Sequence, residues 1–129
     1  MKKILPLILT LLVASSGALA QNVNIPDANF KAYLVGETNI NTNGDAEIQA
    51  DEAANFTGTI SIGSLGITDL TGIEAFVNIT SLFADDNDLG SVDLSQNIQL
   101  TILTLASCNL SVLDISQNTN LTLVFIENN

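Results

Sequence analysis

A 21-residue repeat governs what this chain can fold into. Ile79 to Gln99 reads ITSLFADDNDLGSVDLSQNIQ, and Leu100 to Asn120 reads LTILTLASCNLSVLDISQNTN. Apolar residues occupy positions 1, 4, 11 and 14 of both copies. The tails Val92 to Asn97 (VDLSQN) and Leu113 to Asn118 (LDISQN) are nearly identical. A looser copy, Thr57 to Asn78, carries Ile60, Ile62, Ile67, Leu70, Ile73 and Phe76. A fourth opens at Leu121 with Val124 and Ile126, and the sequence stops at Asn129. Alone, one such repeat has too few aliphatic positions to offset the conformational entropy of ordering its backbone. The repeats must therefore stack and share one core.

The spacing follows the L-x-x-L-x-L-x-x-N/C-x-L pattern, with Asn87, Cys108 and Asn129 successively in the N/C slot. From Thr57 to Asn129 the chain resembles leucine-rich-repeat proteins, and its period is similar to that of secreted bacterial types such as internalins. The resemblance implies an α/β fold: a leucine-rich-repeat solenoid with a short parallel β-sheet on its concave face and a small helical N-terminal cap. The expected division is a signal peptide at 1–20, a cap at 21–56 and repeats at 57–129. Because the fourth copy is unfinished and carries no polar capping element, the chain is expected to be C-terminally incomplete.

In such strands, positions 4 and 6 face the core, and positions 3 and 5 face out. The outward set reads Thr59 and Ser61, Ser81 and Phe83, Ile102 and Thr104, Leu123 and Phe125. Phe83 and Phe125 should stand roughly 10 Å apart across Thr104, given a strand spacing of about 4.8 Å. With Ile102 and Leu123 they predict an exposed apolar patch, flanked at position 7 by Asp85 and Glu127. The expected partner-binding residues are thus Ser81, Phe83, Asp85, Ile102, Thr104, Leu123, Phe125 and Glu127.

Residues 1–20 have the layout of a secretory signal: Lys2 and Lys3, an apolar stretch from Ile4 to Val13, then Ala18-Leu19-Ala20 as a cleavage site. Beyond it a single cation, Lys31, stands against 14 carboxylates, leaving a net charge of −13. Such a field repels phosphate backbones and anionic lipid, so nucleic acid and membrane surfaces are poor partners. One cysteine, Cys108, excludes an intramolecular disulfide. It reads as a buried structural thiol.

Between the signal and the repeats, Asp27 is placed to cap a helix whose apolar stripe is Phe30, Tyr33 and Leu34. Gly36 is the expected left-handed stop. The helix would cover the open end of the stack. A second short helix is predicted from Ala50, leading to a strand near Thr59. Asn41 to Glu52 has the oxygen spacing of an EF-hand-type loop, with Asn41, Asn43, Asp45, Glu47 (through its carbonyl), Gln49 and Glu52 at ligand positions. Ala46 stands where the sharp turn prefers glycine. The two readings are weak calcium binding, of order 10⁻⁴–10⁻³ M, and a degenerate loop that keeps the turn shape without metal. No other cofactor is indicated.

For function, the chain has no histidine, and neither a nucleophile motif nor a glycine-rich phosphate loop is evident. It reads as a non-enzyme. The expectation is a secreted or cell-surface recognition and adhesion module that binds a protein or glycan through its concave face. The alternatives are a structural spacer of a longer surface protein and an extracellular hydrolase.

Overall fold

The computed structural model describes residues 21–129; the signal-peptide expectation lies outside them. Two helices, α1 (Ala28–Gly36) and α2 (Ala50–Asn55), precede four three-residue strands: β1 (Thr59–Ser61), β2 (Ser81–Phe83), β3 (Ile102–Thr104) and β4 (Leu123–Phe125). A 3₁₀ turn, Ile73–Ala75, lies between β1 and β2. The strands form one parallel sheet in sequence order. The result is a small α/β fold with its helices at the N-terminal end.

The sheet register follows the repeat. Thr59, Ser81, Ile102 and Leu123 are paired neighbours across the sheet, as are Ile60, Leu82, Leu103 and Val124. Ile60, Leu82 and Leu103 are fully buried, and Ile62, Ala84 and Leu105 two residues on join them. An aliphatic residue every second position thus puts one face of each strand into a common core. After each strand the backbone turns through a left-handed residue at the same repeat position: Ser64, Asp86, Ser107 and Asn128, with φ between 55° and 60°.

Buried side-chain amides tie successive repeats together. Asn87 donates from Nδ2 to the carbonyls of Ile62 and Ala84, while its Oδ1 accepts from Ile67 N. Asn129 does the same two slots later, donating to Leu105 O and Ile126 O and accepting from Cys108 N and Leu110 N. Cys108, between them, is buried and donates from Sγ to Ala84 O at 3.1 Å. A second ladder, which the sequence reading missed, uses the asparagine of each SQN tail. Asn97 donates to Ile73 O and Phe76 O, and Asn118 to Leu94 O and Asn97 O. Both asparagines are buried.

The N-terminal segment closes the β1 end of the core. Phe30 and Leu34 of α1 are fully buried in the same apolar cluster as Ile60 and Ile67. Asp27 caps α1 by accepting from Asn29 N and Phe30 N, and its other oxygen accepts from Thr68 N. One carboxylate thereby starts the helix and fastens it to the repeats. The Tyr33 hydroxyl accepts from Ser61 N, capping a β1 amide. Gly72 has φ +105°, and a Cβ there would lie 2.7 Å from Ile25 Cγ1 and 2.9 Å from Asn24 O. Only glycine admits that close crossing. The expected left-handed stop at Gly36 is not seen: the cap of α1 is Glu37 in an extended conformation, φ −88°.

Candidate interaction surface

The open face of the sheet carries two rows. The first is Thr59, Ser81, Ile102 and Leu123; the second is Ser61, Phe83, Thr104 and Phe125. These are the outward positions read from the repeat. Leu123 and Phe125 are 44% and 45% exposed, and Phe83 and Ile102 are half-buried. Ser81 and Thr104 were expected on the surface but are 8% and 7% exposed. Their side chains are short, and taller neighbours stand on either side. Thr104 lies in register between Phe83 and Phe125, so it forms a floor between two aromatic walls.

Asp85 leans across that floor. Its Oδ2 accepts from the Thr104 hydroxyl at 2.6 Å and its Oδ1 from Ala106 N at 2.8 Å. A carboxylate of β2's exit loop is thus fixed over β3. Glu127 occupies the matching place after β4 and is exposed. Asp86 and Asp88, also exposed, add to the acidic exit edge. The entry edge is neutral: Thr101 and Thr122 donate their hydroxyls to Thr80 O and Thr101 O. Sequence spacing foretold the rows and the flanking acids. It could not foretell that Asp85 is held by β3.

The Asn41 to Glu52 loop is organised around its own amides. Glu52 Oε1 accepts from Thr42 N, Thr42 Oγ1 and Asn43 N, and Oε2 accepts from Gln49 N. Burial opposes ionisation of Glu52, yet these donors bring its pKa below the usual carboxylate value. Asn41 is buried; its Nδ2 donates to Val35 O and Asp45 O, and its Oδ1 accepts from Gly44 N. Asn43 Oδ1 accepts from Asp45 N, and Asp45 Oδ1 from Glu47 N. Gln49 Nε2 donates to Asp45 Oδ2, and the Glu47 carboxylate pairs with Lys31 at 2.7 Å. The left-handed turn falls at Gly44, φ +72°, and Ala46 is not left-handed. The six residues are close in space, but the loop turns N–H groups toward the carboxylate at its end. Such donors suit an anion, and Glu52 supplies it. Among the described residues no group of three or more His, Cys, Asp or Glu is arranged to hold a metal.

A hollow of about 280 Å³ on the loops between strands is lined by Asp69, Glu74 and Asp93. Each of these acids is already engaged by backbone N–H groups, those of Thr71, Gly72 and Ser95 respectively. Asp93 is held below the usual carboxylate pKa by its bonds from Ser95.

Among solved structures, the chain is similar to the functional domain of InlJ from Listeria monocytogenes, a domain that includes a cysteine ladder. The identity is 34% and the TM-score 0.68, over 81% of this chain and 23% of that one. An internalin, InlF, from the same organism overlaps with a TM-score of 0.63 at 20% identity, over 87% of this chain and 34% of that one; this likeness shows the fold alone. In structure, the chain resembles internalins. It spans about a quarter and a third of the lengths of these two proteins. No protein-family model and no curated protein matches it. No helix among the described residues is long and apolar enough to cross a membrane.

Proposed function

We propose that this chain is a recognition module acting outside the cell, secreted or displayed at its surface, that binds a protein or glycan through the open face of its sheet. In this reading residues 57–129 are coils of a leucine-rich-repeat solenoid, residues 21–56 are its cap, and the sheet lies on the concave side. The observation that carries it is the row Ser61, Phe83, Thr104 and Phe125, which presents aromatic side chains on a face that the core does not need. Exposed aromatics beside carboxylates are a composition suited to the centre of an interface. The likeness to internalins supports an extracellular binding role over catalysis.

The contact residues are Phe83, Ile102, Leu123 and Phe125, with Asp85 and Glu127 at the exit edge. Ser81 and Thr104 contribute as floor. The test is a screen of extracellular matrix proteins and a glycan array with the wild-type chain and Phe83→Ala. The substitution is expected to weaken capture of the partner by about 1–3 kcal/mol while the fold persists. A spacer would show no partner whose capture depends on Phe83.

A further inference from the structure

We infer that the partner of this face is a basic protein, and that one of its arginine or lysine side chains seats between Phe83 and Phe125, over Thr104 and against Asp85. This rests on the open face being the binding surface and adds the chemistry of what it binds. Phe83 and Phe125 belong to strands two apart in the sheet, paired in register through Thr104. Two strand spacings separate them by roughly 10 Å. A cation midway is then about 5 Å from each ring, inside the roughly 6 Å at which the face of an aromatic attracts it. Thr104 is short, 7% exposed and turned by its hydroxyl to Asp85, so the cation rests above it, level with the rings. The alkyl stem of an arginine or lysine can lie along the apolar row while its charged head reaches Asp85.

The charge distribution agrees. Asp85 is fixed over β3 by two hydrogen bonds, so it meets a cation without first losing side-chain freedom. Glu127, Asp86 and Asp88 lie along the same exit edge, and the threonines of the entry edge are neutral. Across residues 21–129, 14 carboxylates face one lysine, and that lysine is paired with Glu47. The net charge draws a basic surface to the molecule, and the acids of the exit edge favour its approach on this face. A neutral apolar partner would gain from the aromatics but would leave the acids unused.

The test follows amide shifts of the isotope-labelled full chain titrated with hexa-arginine, and with the same peptide carrying neutral citrulline. Shifts are expected at 83–85, 104–106 and 125–127, with the citrulline peptide at least about tenfold weaker. Asp85→Asn, which preserves shape, and Phe125→Ala, at an exposed position, should each weaken hexa-arginine about tenfold. Asp51→Asn removes the same charge on α2 and should change nothing. Equal loss with Asp51→Asn, shifts centred elsewhere, or equal binding of citrulline overturns the proposal. If those failures occur while Phe83→Ala still abolishes partner capture, only the cationic assignment falls. If Phe83→Ala leaves capture intact, the binding face itself is wrong.

Discussion

At the scale of single residues, the slot that closes each turn shows how chemistry grades a repeat. Asn87 fills it with both an acceptor and a two-bond donor, whereas Cys108 offers one weak thiol bond. Burial raises the pKa of Cys108, so the thiol stays protonated and keeps that donor. Removing Asn87 strands several buried backbone groups; removing the thiol strands almost nothing. Asn87→Ala is expected to cost about 3 kcal/mol and Cys108→Ala about 1 kcal/mol in chemical denaturation. Comparable costs would mean that the slot is filled for volume alone. Gly72→Ala belongs to the same scale: its new methyl meets the Val23 to Ile25 segment at left-handed φ, and a loss of about 2 kcal/mol is expected.

Between residues and the whole lie the elements, and here the sequence was only partly legible. Strand positions, α1 and α2 were readable because aliphatic period and capping chemistry are local signals. The loop before α2 was not. Its oxygen spacing was visible, but spacing does not say whether N–H groups are turned toward those oxygens. Four donors converge on Glu52, so Glu52→Gln should lower thermal stability by about 1–3 kcal/mol. Adding ~10 mM calcium, a range set by weak extracellular sites, should leave the wild-type melting temperature unchanged. A calcium-dependent rise that Glu52→Gln abolishes would decide for the metal reading over the metal-free loop. The SQN ladder was missed for a related reason: the repeated tail was seen, but an asparagine inside a polar stretch gives no sign that it is buried.

Glu52 and Asp27 also set the acid response of the cap. At both, burial raises the pKa but hydrogen bonds outweigh it, and the net effect is a lowering. A lowered folded-state pKa contributes stability above the unfolded pKa, and that contribution disappears as pH falls through the folded one. Melting temperature should therefore hold from pH 7 to about 5 and fall below about pH 4, and Glu52→Gln should flatten that fall.

For the molecule as a whole, each strand pairs with the strand of the next copy, 21 or 22 residues along. The buried asparagines reach back over much the same span. Every turn therefore closes a loop of nearly equal length and pays nearly equal entropy, with none spanning the whole chain. Order can spread one turn at a time, starting where α1 and Tyr33 have already fixed β1. Hydrogen exchange should then be slowest in β1 and β2, where α1 and the Tyr33 hydroxyl add contacts, and quicken with distance from that cap. A single uniform exchange rate across all four strands would show instead that the turns open together. On the graded outcome, Phe125 stands two strands farther from the cap than Phe83. A ligand that clamps it to Phe83 would bridge three strands at once and slow their separation.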